Sequence, residues 1–319
     1  MPQFSIIITC HNQAQFIDDA VLSALCQPQS YREVIVVDDA SSDDSVRTLK
    51  KYGDAIQLVK LESNVGANRA RNFGAARPKG DYLVFLDGDD LLMPWALEMY
   101  RQILSKKPAA ALVSTLRWFE GAPPKPTEDE YPKEVRFVSY DSLVKKDRSN
   151  RPSASAMVIE RESFHQIRGW TEDMFPMDDF DILIKLGACG TAIQILSPPA
   201  TAYRVHPSNS FHSVTPFIRE LHRVIKKIKA GEYPCSKSHW LASYGFMGGP
   251  VLFWTKEAYR NRMYLDGLRL LASGWTLSVA AALCRLGRLV GGRTRVEAMP
   301  LQPAAEFPLS DWHAAADRA

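Results

Sequence analysis

Asp81-Tyr82-Leu83-Val84-Phe85-Leu86-Asp87-Gly88-Asp89-Asp90 is the stretch on which the reading of this chain turns. Five strand-forming residues carry the backbone into a core, and three carboxylates then arrive together. Carboxylates repel one another and are rarely buried without partners. Several at one strand end make sense where a cation or a set of hydroxyls sits. Hard cations such as Mg2+ are held by one or two carboxylates plus substrate phosphates. The run therefore points to a metal–diphosphate site. An acidic turn is the alternative, since Asp and Gly are ordinary turn residues.

Outward from this run, strand and helix patterns alternate. Phe4–Thr9 is a continuous apolar run, as expected of a strand buried on both faces. Val34–Val37, Ile56–Leu61, Tyr82–Leu86 and Ala110–Leu116 read as further strands. Phe16–Leu25, Asp43–Tyr52, Ala67–Ala76 and Pro94–Leu104 read as the helices. Beyond a Pro-rich, charged loop at 121–133, Ala154–Ile159 and Ala192–Leu196 resume strand character, and Asp178–Leu186 reads as a helix. Such alternation predicts an α/β fold with a mostly parallel central sheet flanked by helices. From about Ser213 the pattern is helical, so the reading divides the chain into 1–212 and a helical C-terminal extension, 213–319. The segment from about Gly291 lacks periodicity and reads as a poorly ordered tail.

Ligands of open parallel sheets bind outside the carboxyl ends of the strands. Those ends read Thr9-Cys10-His11-Asn12, then Asp38-Asp39-Ala40-Ser41-Ser42-Asp43, then Glu62-Ser63-Asn64-Val65-Gly66 with Arg69 and Arg71, then Asp87-Gly88-Asp89. Any one of them has a plain explanation; Asp38–Asp43 could be a helix-capping cluster. Four in succession predict one shared pocket. There is no GxGxxG and no GxxxxGK[ST] loop. Phosphates would instead be held by a metal on Asp89 and a basic side chain such as Arg71.

Ile6-Ile-Ile-Thr-Cys-His-Asn12, Val36-Val-Asp-Asp-Ala-Ser-Ser-Asp-Asp-Ser45, Asn64-Val-Gly-Ala-Asn-Arg-Ala-Arg-Asn72 and Phe85-Leu-Asp-Gly-Asp-Asp90 resemble, in order and spacing, the nucleotide-binding half of the family 2 inverting glycosyltransferases of GT-A fold. The likeness is strongest over residues 3–95. It continues more weakly to about 212 through Gly169-Trp170, Asp178-Asp179-Phe180-Asp181 and Tyr203-Arg204-Val205-His206-Pro207. The resemblance implies a nucleotide-sugar-binding half (1–95) and an acceptor and catalytic-base half (96–212). By it, Asp39, with Asp38 beside it, reads the nucleobase, and Thr9, His11 and Asn12 lie against the nucleoside. Asn64 stands in the third strand-end motif, and Arg71 serves the base and diphosphate. Asp87, with Gly88, meets the ribose. Asp89 ligates a divalent metal, Mn2+ or Mg2+, and His206 is a second metal or diphosphate contact. Trp170 shapes the sugar pocket, and Asp179, or its neighbour Asp178, is the base. The implied donor is a nucleoside-diphosphate sugar, a UDP-sugar foremost, and the acceptor a glycan or lipid-linked hydroxyl in surface glycan or polysaccharide biosynthesis.

Two departures stand out. Asp178-Asp179 replaces the commoner Glu-Asp, and Lys185 stands where Arg is frequent. The Gln-x-x-Arg-Trp motif of processive synthases is absent, which implies transfer of one sugar per encounter. Trp95, Trp118 and Phe119 could line an acceptor site or belong to the core. A catalytically inactive nucleotide-sugar-binding protein and a sugar nucleotidyltransferase are the rival readings.

Apolar content of 46% and charged content of 24% are those of a globular protein. Five scattered cysteines without a CxxC pair argue against a disulfide framework or zinc site and for a reducing, cytoplasmic setting. The N-terminal residues carry no basic, apolar leader pattern. The net charge of +3 hides an asymmetry: residues 213–319 hold 15 Lys and Arg against 8 Asp and Glu. The stripe Phe217, Leu221, Val224, Ile225 and Ile228, with its lysine-rich flank, could lie with Leu270–Val290 on an anionic membrane surface. The extension would then be peripheral at the inner face of a membrane; otherwise it is a helical cap packed on the α/β domain. His239–Thr255 and Leu270–Cys284 are uncharged but read as core or interfacial helices rather than spans. No nucleic-acid reading motif accompanies the basic residues.

Overall fold

A computed structural model describes residues 1–145, 153–209, 213–234, 239–291 and 295–302. The first half runs β1 (Phe4–Cys10), α1 (Ile17–Leu25), β2 (Arg32–Asp38), α2 (Ser45–Lys50), β3 (Gln57–Lys60), α3 (Ala67–Ala75) and β4 (Tyr82–Asp87). Strand β1 pairs in parallel with both β2 and β4, and β2 with β3. Ile6, Ile7 and Ile8 are fully buried, because helices cover both faces of the sheet. The register matters most: Thr9 pairs with Asp87, and Cys10 with Asp38. Three polar strand ends therefore finish on one line.

The second half contains β5 (Leu91–Leu92), α4 (Ala96–Lys106), β6 (Ala111–Val113), β7 (Leu116–Phe119), β8 (Glu134–Tyr140), β9 (Met157–Glu160), α5 (Arg161–Gln166), α6 (Asp178–Leu186), β10 (Ala192–Ser197) and β11 (Thr201–Arg204). Strand β9 lies antiparallel between β4 and β6, and β8 is antiparallel to β10. With β12 (Glu297–Pro300) at its edge, the sheet has nine strands among the described residues, ordered β12-β8-β10-β6-β9-β4-β1-β2-β3, parallel through the first half and mixed beyond it. A small second sheet, β5-β11-β7, sits directly after the acidic run.

The extension forms α7 (Val214–Lys229), α8 (Trp240–Arg260) and α9 (Tyr264–Gly291). The apolar stripe of α7 does not face outward. Phe217, Leu221, Val224, Ile225 and Ile228 are buried with Met174, Met177 and Ile184 of the α/β domain and Met247, Val251 and Trp254 of α8. The cap alternative therefore holds for this helix, because the stripe matches a waiting apolar surface and a stacked Phe217–Trp254 pair at 4.1 Å. Helices α8 and α9 approach closely: a Cβ on Gly248 would lie 2.3 Å from the Leu277 carbonyl oxygen. The expectation of a poorly ordered tail fails over Glu297–Pro300. This segment forms β12, antiparallel to β8, with Met299 buried. Residues 292–294 and 303–319 of that tail lie outside the described residues.

Candidate active site

The strand register brings Thr9, Asp38 and Asp87 to one edge, and the following loops add the rest. Asn12 adopts φ 52°, in the left-handed region that Asn tolerates. Its side-chain oxygen accepts from the Ser42 N–H at 2.8 Å. His11 Nδ1 hydrogen-bonds the Asp39 carbonyl oxygen at 2.7 Å. These contacts lock the first loop onto the second. Both oxygens of Asp39 accept backbone N–H groups, from Val65 at 2.7 Å and Gly66 at 2.8 Å, so its carboxylate also shapes the third loop. Gly66 has φ 87°, and Asn64 accepts from its N–H at 3.1 Å. Asp38 is buried, accepts from the Ser41 N–H, and keeps one oxygen without a partner. Gly88 is forced by crowding: a Cβ there would lie 3.0 Å from the Thr9 carbonyl oxygen and 2.5 Å from Gln13 Oε1.

Arg71, on α3, is the hub. Its Nη2 donates to Asp87 Oδ1 at 2.7 Å, and its Nη1 donates to Asp178 Oδ2 and Asn68 Oδ1, each at 2.9 Å. The guanidinium thus joins the Asp87 carboxylate of β4 to the start of α6. Its carbon sits 4.9 Å from the Trp170 ring centroid. Trp170 itself is only 1% exposed, edge-on to Phe85. Trp170 therefore packs in the core behind Arg71, with its indole N–H buried and without a hydrogen-bond partner. Asn72 fixes its backbone, and Lys185 donates to the Gly169 carbonyl just before it.

Helix α6 opens with Asp178 and Asp179, whose negative charge suits a helix N-terminus. Asp178 is spent on Arg71. Asp179 has an oxygen with no hydrogen-bond partner. Burial pushes the Asp179 carboxyl well above the usual carboxylate range, and the nearby Asp178 charge adds to this. A carboxylate so placed is suited to accept a proton.

On the other side of Asp87, the small sheet delivers a second group. Pairing of β5 with β11 carries Arg204 and His206 to the acidic run. His206 Nε2 lies 2.9 Å from Asp89 Oδ2, and the imidazole also contacts Ser208, Asn209 and the Phe16 ring. One carboxylate and one imidazole, both partly accessible, fit a hard divalent cation that takes its remaining ligands from substrate phosphates. Among the described residues no group of three or more His, Cys, Asp and Glu forms a complete cage.

Arg204 and Ser155 carried no assigned role in the sequence reading. Arg204 donates to the carbonyl oxygens of Asp89 and Gly121 and to Asp19 Oδ2, between the Phe16 and Phe119 rings. Its own N–H donates to Asp90 at 3.0 Å. It therefore braces the whole acidic turn. Ser155 Oγ accepts from the Asp87 N–H at 3.0 Å. A buried Arg inside the quoted Tyr203–Pro207 motif was the available signal for the first; nothing in sequence marked the second. Of the remaining aromatics, Trp95 is buried, whereas Trp118 is 47% exposed and packs on Tyr203 at 4.6 Å.

The fold defines a class before any sequence comparison. Among solved structures the chain is similar to S. aureus TarS, residues 1–349, in complex with UDP-GlcNAc. The TM-score is 0.67 at 15% identity, over 96% of this chain and 98% of that one. That likeness establishes a GT-A domain. The family model described as glycosyl transferase family 2 matches residues 5–168. The chain belongs to that family. Among curated relatives it is 29% identical over 203 residues to an uncharacterized glycosyltransferase of Haemophilus influenzae, covering 63% of this chain. It is 30% identical over 172 residues, 52% of this chain, to the putative teichuronic acid biosynthesis glycosyltransferase TuaG of Bacillus subtilis. The matches span 65% and 66% of those relatives' own lengths.

Proposed function

We propose that this protein is a metal-dependent, inverting, non-processive glycosyltransferase. It moves a sugar from a nucleoside-diphosphate donor, a UDP-sugar foremost, to a hydroxyl of a glycan or lipid-linked acceptor in surface-glycan assembly. The observation that carries the reading is the Asp179 carboxylate, one oxygen of which has no hydrogen-bond partner, beside the Arg71–Asp87 pair, with Asp89 and His206 beyond it. The putative role of TuaG in teichuronic acid biosynthesis and the complexes of TarS with UDP-GlcNAc and UDP support the donor and pathway class.

In this reading the nucleoside lies against Thr9–Asn12 and Asp38–Asp39, and Asp87 meets the ribose. Asp179 accepts the proton of the acceptor hydroxyl as that oxygen attacks the anomeric carbon. The bond from that carbon to the diphosphate oxygen breaks on the opposite face, so configuration inverts. Asp89 and His206 would hold a divalent cation, which would supply charge stabilisation to the departing diphosphate. Arg71 holds Asp87 and Asp178 in place, which leaves Asp179 free to act as base. The half-exposed Trp118, on Tyr203, offers a ring on which an acceptor sugar can stack.

The test is a thermal-shift screen of nucleoside diphosphates and nucleotide sugars with and without Mn2+, joined to donor turnover by wild type and Asp179→Asn. A metal-dependent shift, with turnover lost and donor binding kept in the variant, is expected. No metal-dependent shift with any nucleotide would sink the proposal. Formation of a nucleotide sugar from sugar 1-phosphate and nucleoside triphosphate would replace it with nucleotidyl transfer.

A further inference from the structure

Among the described residues, the outer face of α9 carries a long run of exposed large apolar side chains. Leu265, Leu268, Trp275, Val279, Leu283 and Leu286 are each 48–68% exposed. They recur three, four or seven residues apart, or ten (Leu265 to Trp275 crosses the same arc), so at 100° per residue they share one side of the helix. No Asp, Glu, Lys or Arg falls on that arc between Tyr264 and Leu286; Arg269 and Arg285 stand exposed at its margins. The arc runs for about 33 Å at 1.5 Å per residue. Exposed apolar stripes of this length mark a binding surface.

We propose that this face docks on an anionic lipid surface, with α9 lying flat in the headgroup region. Three observations select that occupant. First, the extension carries the chain's excess positive charge, and Lys256, Arg260, Arg262, Arg269 and Arg285 are all exposed on α8, α9 and their connection. Basic margins around an apolar arc complement anionic headgroups. A second copy related by a two-fold axis would instead set basic margins against basic margins. Second, Trp240, Tyr259, Tyr264 and Trp275 are exposed aromatics on this hairpin. Such rings favour the membrane interface.

Third, α9 docks rather than spans. Tyr264–Leu286 is long and apolar enough to cross a membrane. Its inner side, however, is closed against α8: Leu270 and Leu277 are fully buried, and a Cβ on Gly274 would meet Val251 at 2.7 Å. A crossing would drag Lys256, Glu257 and Arg260 of α8 into hydrocarbon, which is costly. The docking rests on α9 and its neighbours and is independent of the catalytic reading.

The full chain is floated with vesicles of phosphatidylcholine alone and of phosphatidylcholine with phosphatidylglycerol. Wild type is expected to float with the anionic vesicles, with blue-shifted tryptophan emission that lipid-borne bromine quenches. The double variant Leu268→Glu/Trp275→Glu is expected to lower the bound fraction at least about tenfold with an unchanged circular dichroism spectrum. Arg269→Glu/Arg285→Glu should reduce binding to the anionic vesicles toward the neutral level. Failure of wild type to float with either vesicle overturns the proposal. So does flotation that resists alkaline carbonate on neutral vesicles, which means a span. So does a vesicle-free dimer that the first variant dissolves, which means a second copy covers the face.

Discussion

Arg71 Nη1 stands 2.9 Å from Asp178 Oδ2, with both side chains almost wholly buried. Removing Asp178 leaves a buried guanidinium donor short of a partner, while Asp87 still balances its charge. The Asp178→Ala protein should therefore lose about 1–3 kcal/mol of stability in chemical denaturation. Asp179→Asn removes a carboxylate that pairs with nothing comparable. It should melt no lower than wild type at neutral pH, since burial disfavours the charged form there, and lose about 10²–10⁴-fold in kcat. Equal kinetic and stability losses at both positions would dissolve the division of labour between these neighbours.

The acid limb of the rate profile should belong to Asp179. Its carboxyl is raised by burial and then by Asp178, and a general base works only when deprotonated. Activity should thus fall with falling pH on a limb displaced above the ordinary carboxylate range. The residual activity of Asp179→Asn should lack that limb in a kcat profile.

Asp90 makes a separate prediction about stability. Its carboxyl is raised well above the usual value by burial first, then by the Asp89 and Asp87 charges. A carboxyl whose folded pKa exceeds its unfolded one contributes stability below the unfolded value, near 3.9, and loses it as pH rises through the folded value. Asp90→Asn should therefore melt higher than wild type at neutral pH in the presence of a chelator. The gap should close as pH falls. A lower melting temperature for the variant at neutral pH would mean that Asp90 repays its burial through Arg204.

Asp89 and His206 can be separated from the nucleoside loops. Ligand stabilisation follows the ratio of ligand concentration to Kd. Asp89→Ala should erase the manganese-dependent part of a UDP thermal shift, and His206→Ala should shrink it. The metal-independent part should remain in both. Calorimetric titration of UDP with and without Mn2+ checks the same separation.

What could be read from sequence followed the strength of the local signal. The parallel half was legible because Phe4–Thr9, Val34–Val37 and Tyr82–Leu86 are unbroken apolar runs, and such strands are buried on both faces. Their polar ends could be listed in order, although the register aligning Thr9 with Asp87 is a tertiary fact. The antiparallel β8 escaped notice because it follows a Pro-rich loop and alternates in burial. β12 escaped because Glu297–Pro300 gains its strand partner from residues far away in sequence. The depth of Trp170 was illegible for a related reason. A Trp beside a Gly says nothing of its cover, which Phe85 and Arg71 supply in three dimensions.

Arg223 reaches Asp173 from α7, and Tyr233 reaches Asp181, so the segment bearing Asp179 is gripped at both ends by the extension. Val144, Met174, Met177 and Ile184 share one apolar cluster with α7 and α8. A chain ended at residue 212 would strip that cover and leave the loop before α6 without its clasp. The boundary that composition draws there should therefore be no seam in folding. Helices and sheet should melt together in one cooperative transition, and the extension is part of the scaffold that holds Asp179.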